Sequence, residues 1–211
     1  MTGVQTVIGI AGASGSGKST FAGQLVDLIC ESTAPANVSI LNEDRYYRDR
    51  SDLNFSEREQ INYDHPDALE HDLLAAHLQD LRAGKTIQAP CYNYAEHSRD
   101  EDTEMLKPGK ILILEGILIL HRPEIRNQLD LALFIDLPLD VCLARRLQRD
   151  TGERGRSMES VLRQFTTSVR PMFFEYILPT KDHADIIVPQ GGQNAKALNL
   201  LHSHVKDLLG Q

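Results

Sequence analysis

No C-x-x-C pair occurs in this sequence, and its three cysteines, Cys30, Cys91 and Cys142, lie far apart. That spacing argues against a disulfide framework or a zinc ribbon and for a reducing compartment. No apolar run approaches the ~20 residues of a membrane-spanning helix. The N-terminus shows no basic-plus-apolar export signal, so the expected location is cytoplasmic. Internal repeats and low-complexity tracts are missing as well. Basic residues are in deficit: 22 Lys and Arg stand against 30 Asp and Glu, a formal charge of −8. Broad binding to nucleic acid or to an anionic membrane is therefore not expected, and any basic function has to be local. There is no H-E-x-x-H. His71 and His77, and likewise His202 and His204, sit on helical stretches without metal-binding spacing. The length, 211 residues, suits one domain over 1–211 with small excursions and a sizeable core.

What is present is more specific. Gly12-Ala13-Ser14-Gly15-Ser16-Gly17-Lys18-Ser19 fits G-x-x-x-x-G-K-[ST], the phosphate-cradling loop of nucleoside triphosphate enzymes. Thr6–Ala11 before it reads as a buried strand, and helical spacing follows it. The glycines let backbone N–H groups turn onto phosphate oxygens. Lys18 supplies a point charge for the β- and γ-phosphates, and the Ser19 hydroxyl can ligate Mg²⁺. The next helix adds the positive end of its dipole, with Thr20 closing the nucleotide-binding set.

Further along, strand-like and helical runs alternate, the pattern of a parallel sheet covered on both faces. Phe21, Leu25, Leu28 and Ile29 mark the first helix. Val38–Leu41 reads as the second strand. Pro66-Asp67 looks like a helix start, with Leu74, Leu78 and Leu81 as its stripe and Gly84 as its stop. Thr86–Arg99 reads as a β-hairpin excursion, at about 85–99. Lys110–Gly116, Leu131–Asp136 and Ala184–Val188 read as strands. Helices are expected from Leu139, from about Ser157 to Tyr176, and at the end, where Leu198, Leu201, Val205 and Leu208 face the core. The fold class is α/β: a P-loop NTPase-type parallel sheet flanked by helices, with a hairpin excursion and an arginine-rich lid at about 145–160.

Ligands in such sheets bind at the carboxyl ends of the strands. Four strands end in the phosphate loop, Asp44, Glu115 and Asp136. Asp44 could orient the proton of an attacking hydroxyl or hold Mg²⁺ through water; the competing reading is a loop-capping aspartate. Glu115 follows four apolar residues, Ile111–Leu114, and needs a cation or a donor, either Mg²⁺ or a local partner. Asp136 precedes Pro138 and reads as a structural turn. Arg145, Arg146, Arg149, Arg154 and Arg156 form a dense basic cluster, and Gly152 and Gly155 permit motion. That combination describes a closing lid; a solvated helix end is the alternative. Five of six tyrosines, Tyr46, Tyr47, Tyr63, Tyr92 and Tyr94, lie between residues 46 and 94. They either sandwich a base or anchor the hairpin, and spacing alone leaves both open. Asp64 can accept from two adjacent ribose hydroxyls.

Taken together, these runs resemble the uridine kinase (uridine–cytidine kinase) family over almost the whole chain. Beside the phosphate loop, the matching pieces are Glu43–Tyr47, Asn62–Ala68, Tyr92–Arg99, Leu114–Leu118, Arg145–Asp150 and Glu153–Arg156. The resemblance implies Mg²⁺-dependent transfer of phosphate from ATP or GTP to the 5′-hydroxyl of uridine or cytidine, in pyrimidine salvage. It implies Asp44 as base, with Lys18 and Arg149 among the groups that bear the developing charge. Ser19, Glu115 and Asp44 fall on the metal side. Asp64 becomes the ribose acceptor, and Tyr47, Tyr63, Tyr92, Tyr94 and His97 the nucleoside pocket. Arg146, Arg149, Arg154, Arg156 and Gln164 become lid and substrate contacts. A homotetramer and feedback by pyrimidine triphosphates are implied too.

Two positions depart from the family's pattern: Gln190 stands where an arginine is expected, and Arg45 where a small residue is usual. The rings argue against a small sugar-phosphate acceptor of the phosphoribulokinase or pantothenate kinase kind. The absence of N-K-x-D argues against a guanine-reading switch.

Overall fold

A computed structural model describes residues 3–209, so the outermost positions of the expected 1–211 domain lie outside the described residues. The strands are β1 (Thr6–Gly12), β2 (Val38–Asn42), β3 (Ile87–Asn93), β4 (Ser98–Leu106), β5 (Ile111–Gly116), β6 (Leu131–Asp136) and β7 (Ile186–Pro189). The helices are α1 (Lys18–Ser32), α2 (Phe55–Arg58), α3 (His71–Arg82), α4 (Pro123–Arg126), α5 (Leu139–Gly152), α6 (Met158–Gln164), α7 (Arg170–Met172) and α8 (Ala195–Leu208). Five strands form one parallel sheet in the order β2-β5-β1-β6-β7, and β3 and β4 form a separate antiparallel ribbon.

The sheet sorts its residues by parity, as a period of two requires. Val7, Ala11, Leu112, Leu114, Ala132 and Phe134 face one side, where Leu74, Leu78 and Leu81 of α3 and Cys142 of α5 cover them. Ile8, Ile10, Ile111, Ile113, Leu133 and Ile135 face the other, under Phe21, Leu25 and Ile29 of α1 and Leu198, Leu201 and Val205 of α8. Near-continuous aliphatic strands are the consequence of burial on both faces. The doubly covered sheet holds the carboxyl ends of β1, β2, β5 and β6 on one rim, with β2 next to β5 and β5 next to β1.

Several boundaries differ from the sequence reading. Pro66–Ala68 is a separate 3₁₀ turn, and α3 starts only at His71. Between them the chain must stay extended, because Arg48 N–H donates to Ala68 O and Glu70 N–H to Tyr46 O, at 2.8 and 2.7 Å. The hairpin runs beyond Arg99 to Leu106. Residues 100–105 are all exposed, so no apolar alternation announces that half of the ribbon. Leu208 is exposed, and the buried stripe of α8 is Leu198, Leu201 and Val205. Asp136 is structural as expected, with Lys181 Nζ donating to it at 2.6 Å.

The helix expected over 157–176 runs continuously from Met158 to His183, but not as one α-helix. Residues 165–169 and 173–177 are π-helical, and residues 178–183 form 3₁₀ turns. Phe165, Val169, Phe173 and Ile177 are buried at intervals of four. At 3.6 residues per turn, each such step overshoots by roughly 40°. Widening the turns through i→i+5 bonds brings the four side chains back onto one face.

Candidate active site

The phosphate loop is held from outside by close packing. Gly12, Gly15 and Gly17 have φ of 149°, 85° and 93°, a region that side chains with a Cβ avoid. A Cβ on Gly15 would lie 2.6 Å from Cys142 O of α5. On the opposite side the loop after β7 closes in: Gly192 N–H donates to Ser16 O at 3.2 Å, and a Cβ on Gly192 would collide with Gly17 O. Arg145 also donates to Ser16 O, at 3.2 Å. Ala13 is buried, Lys18 opens α1, and Thr20 lies exposed in its first turn. The loop therefore presents its backbone N–H groups and Lys18 at a helix N-terminus, an arrangement suited to phosphate.

Carboxylates gather beside it. Asn42 and Glu115 are register partners on β2 and β5. Asp44 lies just past β2, in a 3₁₀ turn over Glu43–Tyr46 rather than on the strand itself. Ser19 Oγ donates to Glu115 Oε1 at 2.9 Å, and Glu115 Oε2 is buried with no hydrogen-bond partner among the described residues. Burial holds the Glu115 carboxyl above its usual range, and Lys18 partly offsets this. Among the described residues no cluster of three or more His, Cys, Asp and Glu side chains could cage a metal. Mg²⁺ takes one or two carboxylates plus substrate phosphates. Ser19, Asp44 and the orphaned Glu115 oxygen fit such an ion.

Asp64 is buried, and its carboxyl is raised by burial while Arg146 pulls it down and Asp44 pushes it up. The rings divide into two groups. Tyr47 and Tyr63 are buried and meet edge to face at 5.2 Å, with Tyr92 4.9 Å from Tyr47. Tyr46 is fully buried against His77. Tyr94 is 44% exposed, and its hydroxyl donates to Asp44 Oδ2 at 2.9 Å. His97 stacks on Tyr63 at 5.4 Å and 19°, and burial and then Arg156 lower its pKa, favouring a neutral imidazole. Packing and an open ring surface thus coexist, on different members of the set.

The lid arginines are held by protein groups. Arg146 is buried; it donates to Ser14 Oγ of the loop at 2.6 Å and to Gln164 Oε1 at 3.0 Å. Arg156 donates to the same Gln164 oxygen at 2.6 Å. Arg149 donates to Asp150 at 2.8 Å, and Arg154 lies 4.7 Å over the Tyr94 ring. Asp150 is fully buried, and Arg146 and Arg154 each approach it to 3.6 Å. Sequence reading gave no role to Asp150 or Glu43. The available signal for Asp150 was its i,i+4 spacing to Arg146 and Arg154. Arg45 turns to the hairpin, where it pairs with Glu104. Gln190 takes a left-handed conformation, φ 69°, on the rim of a cavity of about 490 Å³ that Gln193, Asn194 and Lys196 also line.

A parallel sheet of this order, a phosphate loop on its central strand and an arginine lid above the rim define a P-loop phosphotransferase. The chain belongs to the phosphoribulokinase/uridine kinase family, whose model matches residues 7–197. A uridine kinase from Shewanella frigidimarina (strain NCIMB 400) is 48% identical over 205 residues, 97% of either chain. One from Vibrio atlanticus (strain LGP32) is 48% identical over 203 residues, 96% of this chain and 95% of its own. The fold is shared with a solved structure from Silicibacter sp. TM1040, provisionally described as a fructose transport system kinase. That chain has a TM-score of 0.71 at 19% identity, over 90% of this chain and 91% of its own.

Proposed function

We propose that this protein transfers the γ-phosphate of ATP or GTP to the 5′-hydroxyl of uridine and cytidine, giving UMP and CMP. The observation that carries the reading is one stretch of rim beside the phosphate loop. There Asp44 lies near the buried Asp64 and accepts from the Tyr94 hydroxyl, and His97 stacks on Tyr63 within the same cluster of rings. The 48% identity to uridine kinases supports the same acceptor. Asp64 has no side-chain donor among the described residues, so a pair of ribose hydroxyls suits it. Neutral His97 and the tyrosine rings suit a flat pyrimidine.

In this reading Asp44 orients the attacking hydroxyl, and Lys18 bears charge that develops on the β- and γ-oxygens. Arg149 and Arg154 exchange their hold on Asp150 for the transferring group as the lid closes; Arg146 already spans loop and lid. Ser19, Glu115 and Asp44 would hold a Mg²⁺ ion, which would supply Lewis-acid neutralisation of the phosphates. The cavity beside Gln190 is where the donor base is expected, because its loop packs on the phosphate loop through Gly192. Action in pyrimidine salvage, in the cytoplasm and as a homotetramer belongs to the same proposal.

The test is product chromatography with Mg²⁺ and ATP or GTP against uridine, cytidine, thymidine, adenosine, pantothenate and ribulose 5-phosphate. UMP and CMP are expected from wild type, and turnover at least ~10² lower from Asp44→Ala with triphosphate binding retained. Transfer to another acceptor only, or full activity in Asp44→Ala, overturns the pocket or the base.

A further inference from the structure

Glu43 immediately precedes Asp44, yet it cannot reach a ligand, because it is fully buried. Its side chain instead ties three elements together. Oε1 lies 2.9 Å from Nε2 of His71, which is buried in the first turn of α3. Oε2 accepts from Leu118 N–H at 2.8 Å, two residues beyond β5. Gly116, at the end of β5, has no room for a Cβ, because Glu43 already occupies that space. The next residue back along β5 is Glu115.

Enclosing a carboxylate is costly unless partners satisfy it, and here both oxygens have one. A solvent-facing side chain at this position would spare the fold that cost. What the enclosed carboxylate adds is register: the 3₁₀ turn that carries Asp44 is fixed to the segment that carries Glu115, and Glu115 is bonded to Ser19 of the phosphate loop. We propose that Glu43, braced by His71 and by the missing side chain at Gly116, is a positioning residue that sets Asp44 relative to Glu115 and the loop. This rests on the reading of Asp44 as the group that orients the acceptor hydroxyl. A displacement of about 1 Å at such a group is enough to cost up to ~10² in rate.

The test compares Glu43→Gln, Gly116→Ala and the double variant with wild type, on soluble protein whose melting curve shows one folded state. Glu43→Gln keeps the shape and removes the charge opposite His71; Gly116→Ala pushes on the same side chain from the other side. Each is expected to lower kcat by about tenfold or more, with KM for acceptor and triphosphate within about twofold of wild type. The double variant should be no worse than the poorer single, because both act through one displacement. A lowered melting temperature with unchanged kcat, a rise in KM alone, or additive losses would each overturn the proposal. The assay uses whichever acceptor wild type phosphorylates, so a wrong nucleoside assignment shows up separately. Hydrogen exchange of residues 43–47 gives a readout that needs no turnover. Faster exchange in Glu43→Gln is expected, and unchanged exchange refutes the pinning even if no acceptor is found.

Discussion

Tyr94→Phe removes one hydroxyl and leaves everything else about that ring in place. The lost contact is the 2.9 Å bond to Asp44 Oδ2, while the face under Arg154, 4.7 Å from the guanidinium, is kept. A hydrogen bond to a charged group contributes about 1.5–3 kcal/mol. Tyr94 is 44% exposed, so water competes for the same carboxylate and the low end applies. About 1.4 kcal/mol is a factor of ten in rate. We therefore expect kcat for uridine phosphorylation to fall about tenfold, with the triphosphate KM unchanged and the melting temperature of the ligand-free protein lower by about 3–6 °C. Steady-state kinetics at saturating triphosphate, with uridine varied, separates the terms. If kcat is unchanged while the uridine KM rises, Tyr94 contacts the acceptor only, and the reasoning about Asp44 fails.

Glu115→Gln should raise the melting temperature of the ligand-free protein by about 2–4 °C, since a buried carboxylate whose pKa burial raises costs stability when ionised. The same variant should lose Mg²⁺-dependent turnover, and calorimetry beside activity reads both; an unchanged or lower melting temperature would show that Ser19 and Lys18 fully compensate the charge. His77, His97 and His121 have pKa values lowered chiefly by burial, so the unfolded chain takes up those protons first. Their contribution to stability is complete above the ordinary histidine pKa of about 6.5 and is lost as pH falls below it. His97→Asn should then lose less melting temperature than wild type between about pH 7.5 and about pH 5.5, and an equal loss counts against the assignment. Gly192→Ala should weaken triphosphate binding by about tenfold or more by titration calorimetry, because its Cβ collides with Gly17 O inside the phosphate loop. Wild-type affinity would mean that the loop yields without cost.

The phosphate loop was legible because its chemistry is local: eight consecutive residues carry the turn, the charge and the hydroxyl. The inner strands β1, β5 and β6 were legible because burial on both faces leaves unbroken aliphatic runs, and the edge strands β2 and β7 through their short β-branched and aliphatic stretches. The division of labour among the tyrosines was not, since Tyr46, Tyr47 and Tyr63 lie in irregular chain ahead of α3 and β3 shifts register between Pro90 and Tyr92. Glu43 and Asp150 were invisible for a related reason. In sequence a buried carboxylate looks like any surface one, and only the fold brings Leu118 N–H and His71 to the first and three arginines to the second. The spacing of four from Phe165 to Ile177 was present in the chain, but an ideal α-helix was the wrong template for it.

The β3–β4 ribbon leaves α3 and returns to β5 without joining the parallel sheet. Tyr92, Tyr94 and His97 therefore ride on a segment whose removal would leave every sheet hydrogen bond intact, whereas the phosphate loop is threaded through the central strand. The phosphate loop and the ribbon are thus under different structural constraints. The phosphate loop cannot change without disturbing the parallel sheet, while the ribbon is tied to the core at its base by Ile87 and Ala89 and to its neighbours by the Arg99–Glu70 and Arg45–Glu104 pairs. On the proposed assignment of Tyr92, Tyr94 and His97 to the acceptor pocket, exchanging the ribbon tip at residues 92–98 changes acceptor choice while every hydrogen bond of the parallel sheet stays in place.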